Sequence, residues 1–93
     1  MKMTVQELLS FGSITVIDIR DLESYQKSHI PGAKHVVSSE LIYRPSLYLQ
    51  RNVKYCLYCD VGYISEDVCR RLRVQGYHVF SLLGGYRNYL LSR

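Results

Sequence analysis

The stretch VKYCLYCDVGYISEDVCRRLRVQG, residues 53–76, decides the fold class of this chain. Its first part, residues 53–58, is rich in aromatic and β-forming residues and predicts a buried strand. A short loop from Cys59 follows, and Gly62 lies within it. A helical pattern then runs to about Gln75, before Gly76. One face of this helix carries Ser65, Val68, Cys69 and Leu72.

Working outward, further strands are predicted at residues 14–19, 33–37 and 78–82, the first of them covered on both faces. Helical segments are predicted after the cap Asp21, as a capped turn at residues 38–42, and at residues 86–91, where Tyr86, Tyr89 and Leu90 lie near one face. Residues 43–52 show no convincing period. Strands that alternate with helices predict an α/β fold with a mainly parallel sheet, and ligands of such folds bind beyond the C-terminal ends of the strands.

Length and composition limit the classes of protein to which this chain can belong. The 93 residues, 47% hydrophobic and 22% charged, predict a single folded domain over residues 1–93. The first residues lack a long apolar run, and three cysteines cannot all pair within the chain, so we expect a cytoplasmic protein that does not span a membrane. The net charge of +4 is modest, and no recognition motif or dense basic stripe indicates nucleic-acid binding.

Cys59 is the main candidate for a catalytic residue because it lies between a predicted strand and the predicted helix that follows it. Successive backbone N–H groups of the following loop can converge on its sulfur there and stabilise a thiolate, the nucleophilic form of cysteine. Cys56 and Cys69 are interpreted as core residues: the first lies within the strand and the second on the apolar helix face.

A metal site is not expected. Side chains alternate along a strand, so Cys56 and Cys59 are predicted to point to opposite faces, whereas a zinc or redox CxxC pair needs both sulfurs together. The three histidines, at positions 29, 35 and 78, are scattered. No cofactor is predicted.

Four ordered segments resemble the rhodanese homology domain family. Their order and approximate spacing match over most of the chain from Val16 to about Tyr89. The segments are VIDIR at 16–20, HIPGA at 29–33, YCDVGYIS at 58–65 and LGGY at 83–86.

The resemblance implies a three-layer fold in which helices flank a central, mainly parallel sheet of four or five strands. It also implies a sulfurtransferase in which Cys59 is the catalytic nucleophile. Cys59 accepts sulfane sulfur from a donor, which is thiosulfate, a polysulfide or a protein persulfide, and passes it to a thiol or to cyanide. The substrate-binding loop is then Asp60, Val61, Gly62, Tyr63, Ile64 and Ser65. By the same resemblance, Asp18, Arg20 and His29 have structural roles.

One departure from the family pattern bears on the substrate. Active loops of this family often carry a basic residue five positions after the cysteine, where this chain has Ile64, and acidic Asp60 begins the loop. A dianion is repelled by Asp60 and lacks a nearby cation, which favours a polysulfide or a protein persulfide over thiosulfate. A catalytically weak interaction module is the alternative. A phosphatase is disfavoured because Ser65 stands where such loops place arginine.

Overall fold

The computed structural model describes residues 1–93 as a five-stranded parallel sheet with helices on both faces. The strands lie in the order β1, β5, β4, β2, β3 across the sheet. They are β1 (Lys2–Met3), β2 (Thr15–Asp18), β3 (Lys34–His35), β4 (Lys54–Tyr58) and β5 (His78–Leu82). The helices are α1 (Val5–Phe11), α2 (Leu22–Lys27), α3 (Ser38–Tyr43), α4 (Tyr63–Val74) and α5 (Gly85–Leu91), with a 3₁₀ turn at Pro45–Leu47.

Alternation along the strands divides the core into two layers. Tyr55 and Leu57 of β4 pack with buried residues of α3 and α4, whereas Cys56 and Tyr58 pack with those of α1 and α5. The central strands are therefore covered on both faces, which is why they read as nearly continuous apolar runs in the sequence. The α/β fold with a parallel sheet between helices is confirmed.

The chain order places the end of β4 at the switch point of the sheet. From β2 the chain moves to one side to form β3 at an edge, and then returns to the other side of β2 to form β4 and β5. Ligands of open α/β folds bind beyond the carboxyl ends of the strands at such a point. The segment after β4 lies at this position, beside the segment after β2.

Several local predictions are confirmed. Helix α2 begins at the Asp21 cap, whose carboxylate accepts a hydrogen bond of 2.8 Å from the Ser24 N–H. The face of α4 formed by Ser65, Val68, Cys69 and Leu72 is buried.

Other local predictions need correction. The helix at residues 38–43 has Val37 at its N-cap and no side-chain cap, because Ser38 already lies inside the helix. Leu90 is 43% exposed rather than buried with Tyr86 and Tyr89, since it faces away from the sheet. Strand β1 and helix α1 were not predicted, although Thr4 and Glu7 form a capping box at the start of α1.

Candidate functional site

Cys59 is the first residue beyond β4, and it is 4% exposed. Its side chain lies on the α3 and α4 side of the sheet, opposite to that of Cys56, as the alternation predicted. The Gly62 N–H points to the Cys59 Sγ at 3.1 Å and the Ser65 N–H at 3.3 Å. The Ser65 Oγ lies 3.4 Å from the same sulfur. Three polar groups from one loop thus surround this thiol.

The loop from Cys59 to the first turn of α4 is rich in free donors. The N–H groups of Asp60, Val61, Tyr63 and Ile64 have no hydrogen-bond acceptor within the protein. Gly62 has a φ of +106°, which L-residues with a side chain rarely adopt. Unpartnered N–H groups at the start of a helix favour an anion nearby, so this loop can stabilise negative charge on sulfur.

The start of α5 is hydrogen-bonded to the backbone of this loop. The N–H groups of Tyr86 and Arg87 donate to the carbonyl oxygens of Cys59 and Asp60 at 2.9 and 3.0 Å. Gly85 allows this approach, because a Cβ at that position would lie 2.6 Å from the Cys59 carbonyl oxygen. The sequence predicted only a turn at Gly84 and Gly85. Two successive glycines before a helix were the available signal for a close backbone contact.

The six predicted loop residues divide into two groups. Gly62 and Ser65 are buried and contact the sulfur. The other side chains form the rim, which is defined by exposed Asp60, Val61, Tyr63 and Ile64. Tyr63 is 78% exposed and Ile64 58%. The rim is therefore mainly apolar, and no side chain of the loop brings a positive charge to Cys59.

Asp18 and Arg20 form a buried ion pair beside the loop, which confirms their predicted structural pairing. The Arg20 Nη2 lies 2.6 Å from the Asp18 Oδ2, and the Arg20 Nε contacts both carboxylate oxygens. The guanidinium also donates to the Ser28 carbonyl oxygen at 2.7 Å and covers the Tyr86 ring. Burial lowers the pKa of Arg20, but the hydrogen bonds and charge of Asp18 outweigh burial and raise it.

Arg20 also modifies the predicted effect of Asp60. The Arg20 Nη1 lies 3.7 Å from the Asp60 Oδ1, although the Asp60 side chain is 74% exposed. The acidic charge at the start of the loop is thus partly balanced by a cation from the end of β2. We expected Asp60 to repel a dianion, and this repulsion is weaker than the sequence alone indicated.

The other candidate residues have structural contacts. Cys56 and Cys69 are free buried thiols, and burial raises the pKa of each to about 12. His29 stacks on Tyr25 with ring centroids 3.8 Å apart, and its Nδ1 bonds to the Tyr25 carbonyl oxygen. No group of three or more metal-binding side chains clusters in the structure. Helices that are long and apolar enough to cross a membrane are also absent.

Comparisons with known proteins point to one family. The model of the rhodanese-like domain family matches residues 3–92. The Bacillus subtilis protein YrkF is 32% identical over 85 residues, which cover 90% of this chain and 45% of YrkF. The thiosulfate sulfurtransferase GlpE of Coxiella burnetii is 32% identical over 84 residues, which cover 89% of this chain and 78% of GlpE. This chain thus spans less than half of one relative and most of the other.

Solved structures show the same fold. A rhodanese-related protein from Thermoplasma volcanium superposes with a TM-score of 0.90 over 98% of this chain and 91% of its own. Its sequence identity is 22%, so this similarity concerns the fold alone.

Proposed function

Because this chain belongs to the rhodanese-like domain family, we propose that it is a sulfurtransferase in which Cys59 carries sulfane sulfur as a persulfide. The observation that carries this proposal is the convergence of the Gly62 and Ser65 N–H groups on the Cys59 Sγ. Backbone donors fixed at hydrogen-bond distance stabilise a thiolate and, after transfer, the inner sulfur of a persulfide. The relative GlpE is named a thiosulfate sulfurtransferase, which supports sulfur transfer as the type of reaction.

The reaction takes place in two displacement steps. The Cys59 thiolate attacks the outer sulfur of a persulfide or polysulfide, and the S–S bond of the donor breaks. A persulfide donor leaves as a thiolate, and a polysulfide donor leaves as a chain that is one sulfur shorter. An acceptor thiolate then attacks the outer sulfur on Cys59, and the Cys59 thiolate is the leaving group. The four unpartnered N–H groups of the loop can bind the outer sulfur between these steps. Neither step needs a metal or a general base.

We further propose that the donor is a polysulfide or a protein persulfide rather than thiosulfate. Ile64 brings no cation to the mouth of the site, and the guanidinium of Arg20 is already paired with Asp18. A dianion would have only backbone N–H groups to balance its charge, whereas a persulfide at the end of a protein or organic chain brings at most one negative charge. An apolar rim suits a donor that approaches as part of a larger molecule. Three free thiols fit a reducing compartment, and we place this activity in the cytoplasm.

Intact mass after incubation with a donor tests the proposal. Reduced protein treated with polysulfide is expected to gain sulfur that a thiol reductant removes, and Cys59→Ser is expected to gain none. Cys69→Ala is the matched control, because it removes a thiol of the same core layer and keeps Cys59. Equal sulfur gain by native protein and Cys59→Ser would exclude Cys59 as the carrier. A larger gain from thiosulfate than from polysulfide would reject the donor preference.

A non-catalytic interaction module is the second candidate. It is favoured by the exposure of Val61, Tyr63 and Ile64 around the thiol. Such a module predicts that no donor transfers sulfur to Cys59, even under conditions in which a small reagent alkylates the same thiol. Sulfur loading by any donor at Cys59 rules this candidate out.

A further inference from the structure

Ser65 and Ser81 form a fully buried hydroxyl pair next to Cys59. Ser81 lies on β5 opposite Leu57 of β4, and its Oγ is 2.6 Å from the Ser65 Oγ. Both serines are 0% exposed. A buried hydroxyl in an otherwise apolar layer costs free energy unless it is hydrogen-bonded, so the pair needs an explanation beyond packing.

When Cys59 is a thiol, the three contacts of the Ser65 hydroxyl use its one donor position and both of its acceptor positions. A hydroxyl can donate one hydrogen bond and accept two. The Ser65 hydroxyl donates to the Gly62 carbonyl oxygen at 3.2 Å, and its oxygen accepts from the Cys59 S–H at 3.4 Å. The second acceptor position is then filled by the Ser81 O–H. Ser81 is thereby the donor of the pair.

Loss of the thiol proton changes this arrangement at one place only. A thiolate accepts but does not donate, so the Ser65 hydroxyl has to turn its proton from the Gly62 carbonyl oxygen to the sulfur. The Gly62 carbonyl oxygen keeps a partner, because the Glu66 N–H donates to it at 3.1 Å. The Ser81 O–H still donates to Ser65 and polarises it, which strengthens the bond from Ser65 to sulfur.

We propose that Ser81 is a positioning residue for Cys59, which acts through Ser65 to stabilise the anionic forms of the sulfur. Its relevance to sulfur transfer rests on the proposed function, while its effect on the thiolate does not. Ser81 reaches the site from β5, so the strand beside the cysteine strand takes part in the chemistry as well as in the sheet. The Ser81 hydroxyl does not touch the reacting sulfur.

The pH dependence of Cys59 alkylation by iodoacetamide tests this inference without any sulfur donor. Fragmentation mass spectrometry of the modified peptide assigns alkylation to Cys59 separately from Cys56 and Cys69, which are buried as well. Ser81→Ala is expected to shift the midpoint of the rate profile to higher pH and to lower the rate at pH 7 by about threefold; for Ser65→Ala we expect about tenfold. The double variant should match Ser65→Ala, because Ser81 acts only through Ser65.

Two further variants separate the hydroxyl from packing. Ser81→Thr keeps the hydroxyl, and Ser81→Val has the shape of threonine without the hydroxyl. Only Ser81→Val should therefore shift the midpoint as Ser81→Ala does. This pair also decides the matter if Ser81→Ala does not fold. The inference is overturned if Ser81→Ala leaves the profile unchanged, if Thr and Val shift it equally, or if the effects of Ser65→Ala and Ser81→Ala add. A failure to load sulfur would leave these alkylation results intact and would count against the proposed function only.

Discussion

The ends of β2 and β4 lie side by side, yet the two segments that follow them differ in kind. Asp18 pairs in register with Tyr58, so the segments begin at the same level of the sheet. After β2, the Asp18 carboxylate is held by the backbone N–H and the guanidinium of Arg20. After β4, the Cys59 side chain lies among N–H donors, and four N–H groups of the loop have no partner. A strand end whose polar groups are all paired is a structural lock, whereas unpartnered N–H groups at a strand end are available to an anionic ligand.

The largest expected effect comes from removing the Asp18–Arg20 ion pair, the structural lock at the end of β2. Asp18→Ala leaves the guanidinium of Arg20 without its carboxylate in a buried position. Loss of one partner of a buried ion pair lowers the free energy of unfolding by about 3–5 kcal/mol, a large part of the stability of a domain this size. Urea denaturation followed by circular dichroism measures this change.

Asp67→Ala is the control for that comparison. Asp67 contacts two arginines of its own helix, Arg70 and Arg71, but its side chain is 42% exposed. Exposed ion pairs contribute little to the free energy of unfolding because water screens them, so the loss should be small. Similar losses for the two variants would show that the Asp18 pair is not the lock we describe.

Gly85→Ala is expected to disturb the end of β4 next most strongly. The added Cβ meets the Cys59 and Asp60 carbonyl groups at 2.6–2.7 Å, and Gly85 has a φ of +63°. Overpacking and a left-handed backbone together cost about 2–4 kcal/mol. Because the clash is with the loop itself, Cys59 should also lose alkylation rate, which mass spectrometry of the modified peptide measures.

Gly32→Ala controls for backbone conformation alone. Gly32 has a φ of +85°, but a Cβ there would have no atom within 4 Å. We expect a stability loss of about 1–2 kcal/mol and an unchanged rate at Cys59. An equal loss of Cys59 reactivity in both glycine variants would refute the contact between α5 and the loop as its cause.

Alkaline pH is expected to destabilise the fold through the two core thiols, Cys56 and Cys69. Burial raises the pKa of Cys56 and of Cys69 to about 12, so the fold favours their neutral forms. Their contribution to stability is present below the pKa of an unfolded thiol and is lost as pH rises from about 9 towards 12. Urea midpoints between pH 8 and pH 11 should therefore fall, and they should fall less steeply in Cys56→Ala. The same slope in both proteins would contradict this assignment.

The smallest effect is expected at the rim. Ile64→Arg places a cation on an exposed position of the loop, which should raise sulfur loading from thiosulfate by about twofold to fivefold, the range of an exposed charge contact. Loading from polysulfide and thermal stability should change little, because Ile64 is 58% exposed. Ile64→Gln serves as the uncharged control. An equal gain in thiosulfate loading with Ile64→Gln would show that the missing positive charge is not what limits thiosulfate as a donor.

Much of the fold could be predicted because its signals are local. The central strands β2, β4 and β5 follow from short runs of β-forming residues, and the buried face of α4 follows from helical spacing. The edge strand β1 could not be found in this way, because two residues are too few for a pattern and its pairing with Ser81 and Leu82 is made across the sheet. The 3₁₀ turn at Pro45–Leu47 likewise lies in a stretch without a period.

The sequence by itself determined where the candidate cysteine lies, since a strand, a glycine loop and a helix start are adjacent in the chain. Only the tertiary structure decided what surrounds Cys59: Gly85 under the loop, Ser81 behind Ser65, and Arg20 against Asp60. These contacts join residues that are 16 to 40 positions apart in the chain. Periodicity describes neighbours within one element, whereas such contacts depend on how separate strands are ordered in the sheet.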